Sequence, residues 1–448
     1  MGAMMQAFYW DCPGREERDG AWWEYVAGKV SELEGAGFTA LWLPPAAKAA
    51  NLFGFPSMGY DPYDYYDLGD IHQKGRTKTY FGDGAGLRSL INAAQDARME
   101  VYADFVINHN SGADAEELNP IDGRTRWTKF EPASGKFGRD RKCFHPSPYE
   151  DFDEMLFGEM PDLCHRNPYV YTELLKLAQW MIEDVGFDGF RFDFVKGYGP
   201  WMIKSIAEVR YLDKQGEGFR PFCVGECWDN SRTISDWLTS INTFMDNPVS
   251  AFDFPLRYRL KDLCDSFGFS MRTLAQGGTL SAEQPARAVT FVDNHDTTQK
   301  EEDGVHNDKL LAYAYVLTHE GYPCVFWRDY FNEGLAKAGT PNGVEALVAA
   351  HGRFAGGGTD VLHADDDLYV MQRSGHGALP GLVLVLNNRG DGWNGTEVST
   401  RWPDTRFAPV AWGGRDETEP QPKWSDPQGR ADFWAAPRGY AVYTPQLP

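Results

Sequence analysis

The strongest constraint on the fold is a repeating order of short apolar segments and amphipathic helical segments, which runs from the N-terminus to about residue 355. Eight apolar segments have the length and composition of β-strands. They read MQAFYW, FTALWLPP, EVYADFVIN, GFRFDF, FCVGECW, SAFDF, AVTFVDN and PCVFW. Helical segments such as AWWEYVAGKVSELEGA and GAGLRSLINAAQDAR lie between them. This order predicts an α/β protein built on a closed parallel (β/α)8 TIM barrel, with helices outside the strands.

This order is interrupted once and stops before the C-terminus. Residues 110–167 are rich in Pro, Gly and charge and lack a helical period, which is typical of a functional loop or a small inserted domain. After the glycines at 356–358, short alternating β segments separated by turn residues predict a C-terminal antiparallel β-sandwich. We therefore predict a barrel from 1–109 and 168–357, an insertion after strand 3 at 110–167, and a β domain at 358–448.

The acidic composition restricts the partners of the chain. It has 43 basic and 65 acidic residues, a formal net charge of −22. Nucleic-acid surfaces need basic patches, and anionic membranes repel such a chain, so we expect no nucleic-acid partner and no membrane partner. No apolar run reaches the roughly 18 residues of a membrane span. A neutral substrate would be unaffected by the charge, and we expect a monomer.

The cysteines and the first residues indicate a reducing compartment. The seven cysteines are odd in number and scattered, which favours packing thiols over a disulfide framework. The sequence begins with MGAMMQAFYWD, without a basic and then apolar signal segment. We expect a cytoplasmic protein as given, although a secreted protein from which a signal peptide had been removed would look the same.

Polar side chains stand at the C-terminal ends of four predicted strands, where active sites of such barrels lie. They are Asp104, Asn108, His109, Arg191, Asp193, Glu226, His295 and Asp296. A single Glu at a strand end usually faces solvent, and a single His usually packs in a core. Four polar strand ends in one barrel instead predict one shared site.

The fourth of these strands, GFRFDF, alternates three phenylalanines with Arg191 and Asp193. Parallel strands covered by helices are usually apolar on both faces, so a guanidinium and a carboxylate on one face need a chemical reason. A nearby cation lowers the pKa of a carboxyl group, and we expect Arg191 to keep Asp193 ionised. An ionised carboxylate beside a protonated carboxyl is the pair that glycoside hydrolysis uses.

Four of these segments resemble the signature segments of the alpha-amylase family of glycoside hydrolases, in the same order and with suitable separations. They are DFVINH, GFRFDFVKG, VGEC and FVDNHD. In addition, MPDLCH resembles the further segment of the inserted domain, and MGYDPYDYYDLGD resembles the substrate-binding loop after the second strand. The resemblance covers essentially the whole chain, and its details look most like the archaeal, plant and liquefying bacterial members.

The resemblance implies a role for each polar side chain at the barrel mouth. It implies that Asp193 is the nucleophile, that Glu226 is the general acid and then the general base, and that Asp296 stabilises the oxocarbenium-like transition state. The residues implied to bind substrate are Tyr60 as a stacking platform, His109 and His295 as donors to sugar hydroxyls, Arg191 and Lys196. Retention of configuration implies Asp193 and Glu226 carboxyl groups roughly 5 Å apart.

The resemblance also implies a Ca²⁺ site, which would fix the insertion to the barrel. Its implied ligands are the side chains of Asn108, Asp153 and Asp162 and the carbonyl groups of Gly197 and Met155. Ca²⁺ prefers several oxygen ligands, including backbone carbonyls. The alternative is that Asn108 and Asp162 merely cap turns.

Two features depart from patterns found in parts of the family. Many members have His where this chain has Gly197, although the archaeal and plant-like branch has Gly. Some relatives bind zinc through two His and a Cys. This chain has His145 and Cys164, but Glu150 stands where a second His would be, which argues against zinc.

The function implied is retaining endo-hydrolysis of α-1,4 bonds in starch, glycogen and maltodextrins. An oligosaccharide-forming amylase or a transglycosylase would use the same carboxylates. A non-catalytic glycan-binding protein would be expected to lack at least one of them. Five C-terminal tryptophans either form a starch-binding surface or pack in the core of the β domain; they are Trp393, Trp402, Trp412, Trp424 and Trp434.

Overall fold

The computed structural model describes residues 2–14, 18–51, 56–149 and 157–446. Within these ranges, eight parallel strands close into a barrel in which each strand pairs with its neighbours in sequence and the last pairs with the first. The strands are β1 Ala3–Gln6, β2 Phe38–Leu43, β3 Glu100–Phe105, β4 Gly189–Phe192, β5 Phe222–Gly225, β6 Ser250–Phe252, β7 Ala288–Phe291 and β8 Tyr322–Phe326. The predicted barrel is thus confirmed.

All eight predicted segments overlap a barrel strand, but the first is displaced. The sequence placed it at residues 5–10, whereas β1 ends at Gln6. The chain leaves the barrel there and turns, with the Cys12 amide donating to the Tyr9 carbonyl at 3.0 Å. The apolar residues after β1 therefore line the mouth of the barrel instead of extending the strand.

Helices follow the strands along the described chain. They are α1 Trp22–Ala27, α2 Val30–Ala36, α3 Gly84–Asp96, α4 Pro168–Trp180, α5 Pro200–Ala207, α6 Ser231–Asn242, α7 Phe254–Asp265, α8 Leu280–Glu283, α9 Lys309–Val316 and α10 Val344–Phe354. The stretch AWWEYVAGKVSELEGA forms two of them, α1 and α2. Gly28, a poor helix former, lies at the break beside a tight turn from the Lys29 amide to the Val26 carbonyl.

Strand β4 is buried along its whole length. Phe190 and Phe192 contact Phe105 of β3, with ring centroids 4.8 and 5.9 Å apart. On the other face, Arg191 lies opposite Asp104 in the parallel register. The aromatic residues therefore supply packing, while the barrel interior holds a buried ion pair.

The insertion returns to the barrel beside the end of β3. It carries a hairpin of Ala115–Leu118 and Thr125–Lys129. Further along, His109 and Asp162 form an antiparallel bridge, and the Leu163 amide donates to the Asn108 carbonyl at 2.8 Å. This pairing places the MPDLCH segment directly against the strand end that carries Asn108 and His109.

An antiparallel sheet domain follows the barrel, as predicted. Its strands are β9 Thr359–Ala364, β10 Leu368–Arg373, β11 Leu382–Asn387, β12 Asn394–Ser399, β13 Arg406–Gly413, β14 Lys423–Trp424, β15 Arg430–Ala435 and β16 Gly439–Pro445. Six form one sheet in the order β9-β10-β11-β16-β13-β14, and β12 pairs with β15.

Three central strands of the six-stranded sheet, β10, β11 and β16, are buried on both faces. Leu384 and Leu386 of β11 join the large core of the barrel and its helices. Val383 and Val385, which alternate with them, pack in a separate core with Phe433 of β15. The C-terminal domain is therefore attached to the barrel by an apolar face of its main sheet.

Two further features bear on the sequence predictions. All seven cysteines are buried, as expected of packing thiols. None of the helices in the described part of the chain combines the length and apolar character that a bilayer crossing needs.

Candidate active site

Three carboxylates from different strand ends line one cleft of about 680 Å³. Asp193 follows β4, Glu226 follows β5 directly, and Asp296 lies in the loop after β7. Because the C-terminal ends of parallel barrel strands meet at one rim, residues far apart in sequence converge there. The three residues that were assigned catalytic roles from the sequence thus lie in one pocket.

Arg191 links the acidic groups of this site. Its side chain is 1% exposed. Nη1 donates to Asp104 Oδ1 at 2.8 Å and to Asp193 Oδ1 at 2.7 Å, and Nη2 lies 2.9 Å from Glu226 Oε1. One guanidinium therefore fixes the nucleophile candidate and the acid candidate relative to each other through short charge-assisted contacts.

Glu226 is set up to carry a proton at neutral pH. Burial raises its pKa to about 8, with contributions from the negative charges of Asp193 and Asp296, even though Arg191 acts in the opposite direction. Its Oε2 accepts the Phe194 amide at 3.1 Å. Each carboxyl oxygen has a second lone pair, so a proton can be held without breaking either contact.

Asp104 is a fourth carboxyl group, buried beneath the other three. Its Oδ2 accepts from Trp42 Nε1 at 3.1 Å and from the Tyr60 hydroxyl at 2.8 Å. Burial raises its pKa to about 7 against the opposing effect of Arg191. Asp104 therefore ties the Tyr60 ring to the guanidinium that holds Asp193.

The Tyr60 ring lies parallel to the His295 ring, with centroids 5.1 Å apart. His109 supports the same loop, because its Nε2 donates to the Tyr60 carbonyl at 2.8 Å. Since a carbonyl oxygen can only accept, this contact places the His109 proton on Nε2. The proton that the sequence assigned to a sugar hydroxyl is thus engaged with the main chain.

His295 and Asp296 are positioned by two glutamines. Gln6 Nε2 contacts His295 Nδ1 at 2.9 Å, and His295 Nε2 lies 3.2 Å from Asp296 Oδ2. Gln299 Nε2 donates to Asp296 Oδ1 at 2.8 Å. Burial, reinforced by Arg191, holds the pKa of His295 well below its usual value, so the ring is neutral.

The rim of the cleft contains side chains that the sequence reasoning missed. Phe157 stacks on His109 with centroids 4.6 Å apart, and Trp10 lies parallel to Tyr60 at 6.1 Å. Both line the cleft, as do Gln299 and the expected Lys196. Lys196 Nζ donates to the Trp228 carbonyl at 2.9 Å. Trp10 could have been identified as an aromatic residue at the C-terminal end of the first predicted strand.

The residues available around Asn108 fit a hard cation. Among the described residues, the buried Asn108 Oδ1 has no hydrogen-bond partner. A methyl group on Gly197 would lie 2.0 Å from this oxygen, so the oxygen faces the Gly197 backbone. The bridge between His109 and Asp162 brings the Asp162 carboxylate to the same strand end. A buried amide oxygen without a donor beside a carboxylate is the kind of set that Ca²⁺ prefers.

The other predicted metal ligands have different outcomes. Asp153 and Met155 lie outside the described residues. Glu150, at the position that argued against zinc, also lies outside them. Across the described ranges, no group of three or more His, Cys, Asp and Glu side chains is placed to hold a metal ion. His145 Nε2 lies 4.0 Å from Asp162 Oδ2.

The chain is similar to proteins of known activity. Residues 17–327 match the family model for the alpha amylase catalytic domain. The chain is 33% identical over 442 residues to an alpha-amylase of Geobacillus stearothermophilus, which covers 86% of this chain and 76% of that protein. It is 31% identical over 451 residues to a glucan 1,4-alpha-maltohexaosidase of Bacillus sp. strain 707, covering 87% and 83%.

The fold is also similar to a solved structure, the alpha-amylase of Geobacillus thermoleovorans complexed with acarbose. The TM-score is 0.70 at 20% sequence identity, and the match covers 96% of this chain and 93% of the other. At this level of identity, the similarity supports the three-dimensional arrangement of the chain and carries no argument about ligands.

Proposed function

This chain belongs to the alpha-amylase family of glycoside hydrolases, and we propose that it cleaves internal α-1,4 bonds of starch, glycogen and maltodextrins with retention of configuration. The observation that carries the proposal is the contact of one buried guanidinium, that of Arg191, with both Asp193 and Glu226. Two carboxyl groups held by the two terminal nitrogens of one guanidinium, in one cleft, support the pairing of nucleophile and acid that a retaining glycosidase uses.

In the first step, Asp193 attacks the anomeric carbon and Glu226 protonates the glycosidic oxygen. The bond to the leaving sugar breaks as the bond to Asp193 forms, so the leaving chain departs with the proton and Glu226 becomes a carboxylate. The raised pKa of Glu226, about 8, keeps the proton available at neutral pH. Arg191 offsets the negative charge of Asp193 before the attack.

In the second step, the Glu226 carboxylate takes a proton from water while the water oxygen attacks the anomeric carbon. The bond to Asp193 then breaks, and both side chains return to their starting states. Asp296 faces the same cleft and accepts hydrogen bonds from sugar hydroxyls, and its carboxylate is oriented by Gln299. Tyr60, fixed by Asp104, provides a ring for the sugar to stack on.

We propose that Ca²⁺ is held by Asn108, Asp162 and the Gly197 carbonyl, with Asp153 and the Met155 carbonyl completing the set. The buried Asn108 oxygen supports this assignment. When bound, the cation would supply charge that joins the insertion to the strand ends of the barrel. Asn108 itself contributes by orientation, because its main-chain carbonyl already accepts the Leu163 amide.

A second candidate has a specific observation in its favour. The 31% identical relative from Bacillus sp. strain 707 is a maltohexaose-releasing enzyme, so an oligosaccharide-forming amylase remains a candidate. It would use the same carboxylates and differ in how sugars fill the rest of the cleft. Product analysis separates the two activities.

The test is a time course of products from soluble starch, with Ca²⁺ present, separated by thin-layer chromatography. We expect a spread of maltodextrins, released first in the α configuration by proton NMR. Glu226→Gln should abolish them, whereas Glu34→Gln, an exposed residue of α2, should not. One dominant oligosaccharide at early times would favour the second candidate. Products of β configuration, or an active Glu226→Gln variant, would contradict the proposal.

A further inference from the structure

The outer face of the two-stranded sheet β12–β15 carries a flat aromatic platform. Trp434 of β15 is 38% exposed and lies opposite Gly395 of β12. A Cβ atom at Gly395 would lie 2.6 Å from Cγ and Cδ2 of the indole, so the ring rests directly on the glycine. With one face supported by the strand, the ring offers its remaining surface to solvent.

The edge of this ring is held by charged groups. Trp434 Nε1 donates to Asp432 Oδ2 at 2.8 Å, and Lys423 Nζ donates to the same oxygen at 2.8 Å. The Asp432 side chain is still 55% exposed, which leaves room for a further donor. The platform is thus fixed in orientation before any ligand arrives, which reduces the entropy lost on binding.

A second carboxylate lies beside the platform. Glu397 is directly across from Asp432 in the antiparallel register, and both are exposed. Exposed residues alternate with buried ones along β15, so Trp434 and Asp432 point to the same outer side. An indole face next to two carboxylates is therefore a surface of mixed apolar and hydrogen-accepting character.

We propose that this face binds an α-glucan chain at a site separate from the active-site cleft. A sugar ring has an apolar face that can lie on the indole, and hydroxyl groups that can donate to Asp432 and Glu397. The net charge of −22 disfavours anionic polymers, whereas a neutral glucan suits the surface. This inference rests on the proposed function for the identity of the glucan.

Three of the other C-terminal tryptophans provide contrast. Trp402 is buried in the core of the β domain, and Trp412 packs partly against it, so core packing explains these two. Trp424 is 63% exposed, but the Arg406 guanidinium lies over its ring, 5.6 Å from the centroid. Trp424 is therefore a matched control, because it is an exposed tryptophan of the same domain without the carboxylate-bound platform.

The experiment measures adsorption of the full-length protein to granular starch, alongside turnover of soluble maltoheptaose. Trp434→Ala should weaken adsorption about tenfold and leave maltoheptaose turnover unchanged. Trp424→Ala should change neither quantity. Because Trp434→Ala removes packing against β12, the melting temperature is recorded, and Trp434→Tyr should restore most of the adsorption.

Each outcome has a defined meaning. Equal adsorption of wild type and Trp434→Ala, or equal losses in the two tryptophan variants, would overturn the inference. If Trp434→Ala failed to fold, Trp434→Tyr and Asp432→Asn would decide it, since the inference requires the first to adsorb and the second to adsorb weakly. Absence of maltoheptaose turnover in the wild type would instead contradict the proposed function, and adsorption would still be measurable.

Discussion

Replacing Glu226 with glutamine should make the stability of this protein less dependent on pH. Folding raises the pKa of Glu226 from an ordinary 4.5 to about 8. Between these values the folded state binds more protons than the unfolded state, so the free energy of unfolding falls as pH rises. Glu226 therefore lowers the free energy of unfolding of the wild type progressively from about pH 5 to pH 8. Glutamine does not titrate, so the variant lacks this loss.

The size of the effect follows from the two pKa values. At about 1.4 kcal/mol for each pH unit, linkage through one group gives a loss of about 3–4 kcal/mol between pH 5 and pH 8. Glutamine is neutral like the protonated acid and keeps an oxygen for Arg191, but its amide nitrogen cannot accept the Phe194 N–H, so the variant should be somewhat less stable than the wild type at pH 5. From pH 5 to pH 8, the difference in the free energy of unfolding should shift in favour of the variant by roughly that amount.

The measurement is urea denaturation of both proteins at several pH values from 5 to 8, followed by tryptophan fluorescence. Taking the difference between the two proteins cancels titrations that they share. Glu34→Gln, on the exposed side of α2, serves as the control and should give a curve parallel to the wild type. If the Glu226→Gln curve also ran parallel to it, folding would not hold Glu226 in its protonated form.

Three further predictions concern activity and the metal. The alkaline limb of kcat/KM should fall with an apparent pKa of about 8 because Glu226 must hold its proton; a limb near pH 5 in a pH–rate profile would contradict this. Gly197→Ala should push the Asn108 amide away and lower the melting temperature measured with Ca²⁺ by about 5 °C, and the same variant should respond less to EDTA. Tyr60→Ala should lower kcat/KM on maltoheptaose about 100-fold, whereas Tyr60→Phe, which keeps the ring but loses the bond to Asp104, should lose about tenfold; equal losses would assign the effect to the hydroxyl group alone.

The barrel could be predicted because each strand is a short apolar run bounded by helical segments. The meeting of Asp193, Glu226 and Asp296 could be predicted because parallel strands share one C-terminal rim. Both arguments depend on local pattern and on topology, and neither requires knowledge of how side chains pack. They therefore succeed from a single sequence.

Contacts between distant loops could not be obtained in this way. Gln6 and His295 are 289 residues apart, and in the sequence Gln6 reads only as the second residue of the predicted first strand. Phe157 lies in an insertion without periodicity, so its stacking on His109 has no sequence signal. The engagement of the His109 proton with the Tyr60 carbonyl likewise depends on the path of a loop.

The burial of the central strands of the six-stranded sheet on both faces has a consequence for how this protein can be divided. Leu384 and Leu386 face the barrel core while Val383 and Val385 face the small β core. A chain cut near residue 357 would leave the barrel with an uncovered apolar flank, which favours self-association. The C-terminal domain therefore covers an apolar surface of the barrel and is not an exchangeable module. Transferred to another protein, it would need a barrel with a matching apolar surface.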